Sequence, residues 1–403
     1  MNPIPYGRQH ITDEDIQAVV ETLKSDYLTQ GPKIKEFEDT FATYVGSRFA
    51  VAVANGTAAL HLNALALGVK SGDKVITTPI TFAASANCVR YCGGDVVFAD
   101  IDPETYLLDI HAVRSLLKAS PKGTYKGIIP VDFAGRAVDL EAFKKLADEY
   151  GLWIIQDSCH SPGGYFTDSK GEKQHCGNGQ FAELAIFSFH PVKHIASGEG
   201  GMITTNDEML YNKLLKLRTH GITRDESLFE NSTGLANGND NSSFSIPNSK
   251  FPGWYMEMQE LGYNYRLTDF QAALGLSQLK RANEGLERRK EIAQKYFEAF
   301  QDKSFIKGQS GVVVGHAYHL YVVELDDRLG LYNFLRENKI FAQIHYFPVH
   351  LMPYYRQFGW KVGDLPNAEQ YYKNCISLPM YPTLTNEEQE FVINTILQFY
   401  DAV

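Results

Sequence analysis

Apolar residues recur at helical spacing near the start of the chain. Ile16, Val19, Val20 and Leu23 share one face, and Thr12 with Asp15 forms a capping-box signature ahead of them. The pattern predicts a helix over about 13–25. A short apolar run at 49–54 reads as a buried strand. It stops at Asn55-Gly56-Thr57, and 58–67 reads as a helix. Strand-like runs recur at 74–78, 96–100, 127–133, 152–157, 184–189 and 202–205. Helical patterns lie between them; Leu140, Phe143, Leu146, Ala147 and Tyr150 trace one such face. Strands alternating with helices predict an α/β fold with a mostly parallel central sheet covered on both faces.

Residues 222–253 break this rhythm. The stretch 231–250 is rich in Asn, Ser and Gly and poor in aliphatics, which predicts a mobile surface loop. Thr268 with Gln271 then opens a long amphipathic stretch to about Phe300. As one helix it would span roughly 45 Å and connect two units. Beyond it, the pattern predicts a strand at 319–325, a helix at 329–338 and a strand at 341–347. Thr385 and Glu388 cap a last helix reaching about Tyr400. The expected division is a large domain over 1–270, then a connecting helix and a smaller C-terminal α+β domain over 271–403.

Composition narrows the function. The 403 residues carry 38 basic and 48 acidic side chains, a formal charge of −10. No broad positive field exists to attract nucleic acid or an acidic membrane. The five cysteines (Cys88, Cys92, Cys159, Cys176, Cys375) are scattered without a CxxC pair, which argues against a disulfide framework and against structural zinc. Met1-Asn2-Pro3-Ile4-Pro5 lacks the basic-then-apolar order of a signal peptide. The expectation is a soluble cytoplasmic protein. His190, His194 and His350 show no metal-ligand spacing, so no metal is expected.

Three segments at predicted strand ends carry chemistry. At Asn55-Gly56-Thr57-Ala58 a strand ends and a helix begins. The free N–H groups of a first helical turn favour a phosphate, although an ordinary turn capped by Thr57 has the same look. At Gln156-Asp157-Ser158-Cys159-His160 an acid ends an apolar strand, with a histidine three residues on. Such a carboxylate can keep a ring nitrogen protonated, or it can merely cap the next helix. At Ser188-Phe189-His190-Pro191-Val192-Lys193 a strand delivers a serine, and a lysine follows in a turn that ends Gly198-Glu199-Gly200-Gly201. A desolvated lysine loses its proton easily and can form a Schiff base with an aldehyde.

In this order the three segments resemble the DegT/DnrJ/EryC1/StrS sugar aminotransferases. These are pyridoxal-phosphate (PLP) enzymes of fold type I, the aspartate aminotransferase-like class. The resemblance runs from Tyr27-Leu28-Thr29-Gln30-Gly31-Pro32 to His345-Tyr346-Phe347-Pro348. Within the family the likeness is greatest to the C4 aminotransferases of pseudaminic acid synthesis. It is carried by Thr77-Thr78-Pro79-Ile80-Thr81-Phe82-Ala83-Ala84-Ser85-Ala86-Asn87, Asp132-Phe133-Ala134-Gly135, Asp157-Ser158-Cys159-His160 and Ala273-Leu274-Gly275-Leu276-Ser277-Gln278-Leu279.

The resemblance implies roles. Lys193 would form the Schiff base, Asp157 would pair with the pyridine nitrogen, and His160 would lie by the ring's phenolic oxygen. Phe82 would stack on the ring. Thr57, Ala58 and Ser188 would hold the phosphate, and Asn264 would reach the phosphate in the neighbouring subunit of a homodimer. Thr29, Gln30, Gly31, Arg266, His345 and Tyr346 would line the substrate site. A plain turn before Pro32, a surface pairing of Arg266 and a packed His345 are the bland alternatives. The implied reaction moves an amino group from L-glutamate to the C4 keto carbon of a UDP-linked 4-keto-6-deoxy sugar. Amination at C3, a dTDP-linked substrate and a non-catalytic PLP- or sugar-nucleotide-binding regulator stay open. A sugar 3-dehydratase of this fold carries His in place of the lysine, and Lys193 speaks against it.

Overall fold

The computed structural model describes residues 2–237, 250–308 and 312–401. A seven-stranded sheet runs through the larger part. Across it the order is Phe49–Val53, Gly201–Thr205, Leu184–Ser188, Trp153–Asp157, Tyr125–Ile129, Lys74–Thr77 and Asp95–Phe98. Gly201–Thr205 runs antiparallel to both its neighbours, and the other pairings are parallel. The central strands read as unbroken apolar runs because both faces are covered. Leu184 and Ile186 pack on one side with the helix Gly56–Ala66. Phe187 packs on the other with Phe37, Phe41 and Phe189. Each of these phenylalanines is fully buried, a contribution of about 1.5–3 kcal/mol apiece.

The first helix is Asp13–Leu23, and its capping box is formed as the sequence predicts. The long stretch after Thr268 is not one helix. It divides into Asp269–Leu279 and Ala282–Phe300. No glycine or proline stands at the break. Asp15 holds it from outside, accepting from Gln278 Nε2 at 2.6 Å and from Arg281 Nη2 at 2.5 Å. The first piece packs on the helices Asp13–Leu23 and Pro32–Val45, and the second on Asn386–Asp401.

The C-terminal part is built on an antiparallel sheet of Ile306–Gly308, Tyr321–Leu325 and Cys375–Leu378. The strand expected from 319 starts only at Tyr321, because Tyr318 sits at φ +47°, outside the extended region. The strand expected over 341–347 is only Ile340–Phe341. It pairs in parallel with Ile4–Pro5, so the first residues of the chain join the C-terminal core. Of the loop expected at 231–250, residues 238–249 lie outside the described residues. Its beginning is tied down: Ser232 caps the short helix Thr233–Ala236, and Asn231 Nδ2 donates to the Tyr255 hydroxyl.

Candidate active site

Sheet register gathers the three segments. Val53 pairs with Gly201 and Gly201 with Ser188, so Asn55-Gly56-Thr57 and Ser188 meet at one edge. Asp157 ends the next strand at the same edge, the carboxyl edge where α/β sheets bind ligands. The approach is close. A Cβ on Gly201 would stand 2.6 Å from the carbonyl of Asn55, and one on Gly56 would stand 3.1 Å from Ser188 Cβ. Asn55, rather than Thr57, caps the helix, its side chain accepting from Ala58 N–H at 2.8 Å. The Ala58 amide is therefore engaged. Among the described residues, the Gly56 and Thr57 amides keep no protein partner, and Gly56 packs against Ser188.

Asp157 is 5 % exposed and doubly held. Ser85 Oγ donates to its Oδ2 at 2.7 Å and the Cys159 amide to its Oδ1 at 3.1 Å. Ser85 in turn meets Thr81 Oγ1 at 2.8 Å. The turn that follows is organised by a second carboxylate, Asp132. Its Oδ2 accepts from Gln156 Nε2, Ser158 Oγ and Ser161 Oγ at 2.8, 2.9 and 2.7 Å, and its Oδ1 from the Val138 amide at 2.9 Å. Burial raises the Asp132 carboxyl pKa, and these donors oppose the rise. Replacing Asp132 with Ala strands the Val138 amide and the Gln156 amide group. At about 1–3 kcal/mol per unpaired donor, Asp132→Ala is expected to lose about 3 kcal/mol or more in a denaturant titration. A loss under about 1 kcal/mol would refute this account.

The third group is a set of rings around Lys193. His160 Nδ1 accepts the Ala134 amide at 3.2 Å, which leaves the proton on Nε2, 3.3 Å from the Tyr346 hydroxyl. His319 packs against His160 with ring centroids 4.3 Å apart, and its Nε2 stands 3.4 Å from Lys193 Nζ. His345 is held through Nδ1 by Ser377 Oγ at 2.9 Å and packs against Tyr6. Burial pushes Lys193 below the ordinary lysine range, with Asp157 among the groups opposing it and Arg289 adding to it. Burial also holds His160 and His319 well below the usual histidine range, and the charge of Lys193 adds to both. His345 is lowered to about 3, mainly by burial. The imidazoles are therefore neutral and add no charge beside Lys193, whereas the Arg289 cation does.

Tyr346 and His345 thus lie in the same ring set as Lys193. Phe82 stands at its rim, 64 % exposed, 6.5 Å from the Tyr346 ring. Thr29, Gln30 and Gly31 lie apart from this ring set, while Arg266 pairs through its backbone with Val53, at the end of the strand that leads into the Asn55-Gly56 turn. Gln30, Gly31 and Arg266 line a cleft of about 300 Å³ with Glu38, Tyr211 and Arg218, which Lys193 does not line. Thr29 is bridged to Thr268. Arg218 is paired with the buried Glu38 at 2.6 Å. Asn264 is exposed, paired through its backbone with Thr219. Sequence reasoning missed Ser85, Asp132 and His319. Ser85 and Asp132 fall inside segments that carry the family likeness, but His319 has no such signal.

These residues fit pyridoxal phosphate. Unpaired amides at a helix start beside Ser188 suit a phosphate. A doubly held carboxylate suits a protonated ring nitrogen. A lysine with a lowered pKa suits an aldehyde. Comparison with known proteins agrees. The profile of the DegT/DnrJ/EryC1/StrS aminotransferase family matches residues 9–397. The chain is 38% identical over 405 residues to the spore coat polysaccharide biosynthesis protein SpsC of Bacillus subtilis, covering 98% of this chain and 96% of that protein. It is 33% identical over 411 residues to the UDP-4-amino-4,6-dideoxy-N-acetyl-beta-L-altrosamine transaminase of Campylobacter jejuni, covering 99% and 98%. Its fold superposes on Helicobacter pylori PseC, an aminotransferase of pseudoaminic acid biosynthesis, with a TM-score of 0.85 at 29% identity over the full length of both. A lysine and a carboxylate converge at one strand edge within a match that runs almost end to end. On those grounds this chain belongs to the DegT/DnrJ/EryC1/StrS aminotransferase family and is a PLP-dependent aminotransferase of fold type I.

Proposed function

We propose that this enzyme moves an amino group from L-glutamate to the C4 keto carbon of a nucleotide-linked 4-keto-6-deoxy sugar. The substrate is UDP-2-acetamido-2,6-dideoxy-β-L-arabino-hexos-4-ulose, and the product is UDP-4-amino-4,6-dideoxy-N-acetyl-β-L-altrosamine. The observation that carries the reading is the convergence of Lys193, Asp157 and His160 at one sheet edge. The Campylobacter jejuni transaminase supports the choice of sugar. The 38% identity to SpsC favours a second reading, a different nucleotide-linked keto sugar aminated at C4 or C3.

When bound, pyridoxal phosphate supplies an aldehyde carbon and a ring that spreads the charge left on a deprotonated carbon. Lys193 holds it through Nζ. The Gly56 and Thr57 amides, with Ser188 Oγ, would hold the phosphate, and Phe82 would cover the ring. Asp157, which accepts from Ser85 and from the Cys159 amide, would face the ring nitrogen and favour its protonated form. His160 would offer its Nε2 proton to the ring's phenolic oxygen. Lys193 Nζ would take a proton from the donor's α-carbon and later return it. Donor and acceptor use one site in turn, so initial-rate kinetics are expected to be ping-pong.

The decisive experiment incubates the protein with glutamate and a panel of 4-keto and 3-keto nucleotide sugars and reads the products by mass spectrometry. Amination of the UDP-linked 4-keto sugar supports the proposal. Amination of 3-keto sugars alone, or of none, ends it. Among the described residues no helix is long and apolar enough to cross a membrane, and a cytoplasmic place suits a sugar-nucleotide substrate.

Asn264 makes the site a shared one in this reading. Its exposed side chain would reach the cofactor phosphate of a second copy in a homodimer, and Thr29, Gln30, Gly31 and Arg266 would serve that copy's substrate. The Lys193→Ala and Asn264→Asp variants are each expected to be inactive, the second because its charge repels phosphate. In a mixed dimer one site takes both lesions and the other none. Equal mixing should therefore restore about a quarter of wild-type activity, as two-fold symmetry requires. No recovery, with subunit exchange confirmed by mass, would mean that Asn264 acts within its own chain or not at all.

A further inference from the structure

Among the described residues, Lys193 has one side chain at hydrogen-bonding distance, and it belongs to a residue 126 positions further along the chain. We propose that His319 is a positioning residue whose Nε2 holds the displaced Nζ of Lys193 while that lysine carries the substrate proton. The inference rests on the amino transfer proposed above. Lys193 Nζ lies 3.4 Å from His319 Nε2, so the imidazole stands within reach of the amine wherever the lysine acts as proton carrier.

The chemistry of the two groups supports the role. As the donor's Cα–H bond breaks, its electron pair stays with the donor and the proton joins the Nζ lone pair. The resulting ammonium has three N–H donors and no acceptor. It needs a neutral lone pair beside it, and a buried imidazole flanked by cations is such a partner. The charged and titratable groups around the pair are Asp157, Cys159, His160, His194, His345 and Arg289. His160 and His319 differ in one respect. His160 is locked as a tautomer by the Ala134 amide. His319 Nδ1 is buried with no hydrogen-bond partner among the described residues. Neither tautomer of His319 is therefore fixed, so Nε2 can donate to the neutral amine and accept from the ammonium. The backbone is fixed instead: Arg289 Nη1 donates to the carbonyls of His319, Tyr318 and Met380 at 3.3, 3.2 and 2.9 Å.

The test compares His319→Leu, which removes the acceptor, with His319→Gln, which keeps a polar atom at similar reach. The first half-reaction is followed as the loss of the visible band on mixing holoenzyme with glutamate. His319→Leu should slow it about 10–100-fold, the worth of one hydrogen bond to a charged group, and deuterium at the donor's α-carbon should slow it further. His319→Gln should recover to within about fivefold of wild type. In the apoprotein, trinitrobenzenesulfonate labelling of Lys193 should begin at lower pH in the Leu variant, because the ammonium has lost an acceptor. That measurement needs no substrate, so it separates failure of this inference from failure of the proposed reaction. A Leu variant within about twofold of wild type, or an unmoved labelling profile, overturns the inference. So does a Gln variant as slow as the Leu variant with its cofactor retained.

Discussion

Lys193→Ala is expected to lower amino transfer by at least about 10⁴-fold, since one side chain supplies both the covalent attachment and the proton carrier. The fold should survive. Among the described residues, the lysine's only side-chain hydrogen bond is the one to His319, and removing a desolvated amine relieves a cost of burial. The cofactor should still bind through the helix amides and Asp157, without a covalent bond. Borohydride reduction of the wild type, digestion and mass spectrometry should place the label on a peptide containing Lys193. A label on any other lysine, or an active Lys193→Ala enzyme, would end the assignment.

Asp157→Asn should keep the cofactor and lose about 10²–10⁴-fold in rate. The amide matches the carboxylate in shape, and its oxygen can still accept from Ser85 or from the Cys159 amide, the two present donors. What disappears is the negative charge that holds a proton on the ring nitrogen, and with it the sink for the carbanion's charge. The absorbance of bound cofactor should persist while turnover falls. Turnover near wild type would refute the role of Asp157. Asp132 must not be disturbed in the same experiment, because it sets the turn that presents both Asp157 and His160.

Local order makes much of the fold legible in the amino-acid sequence. The capping boxes at Thr12 and Thr385 are satisfied within four residues, and both form. The sheet strands announce themselves by continuous apolar runs, since a strand buried on both faces has no polar side. Their ends are legible to within a residue or two, except that the run read as a strand over 127–133 forms a strand only over Tyr125–Ile129. The 268–300 stretch reads as one helix because its break has no local signal; Asp15, more than 260 residues away, supplies the contacts.

The candidate site divides along the same line. Lys193, Asp157 and the Gly56-Thr57 turn are visible in the sequence because each depends on short-range order: a strand end, a turn of small residues, a helix start. Such features are encoded by neighbours a few positions apart. The strand register that sets Ser188 against Gly56, the Ser85 hydroxyl on Asp157, the tautomer of His160 and the meeting of His319 with Lys193 are decided only by the tertiary structure. Each is a contact a few ångströms long between residues that are remote along the chain. Hydrophobic and hydrogen-bonding patterns specify which face of an element is buried, but not which distant side chain it will meet there. That choice falls to sheet order and packing, which bring the C-terminal ring of His319 over the lysine of the larger part.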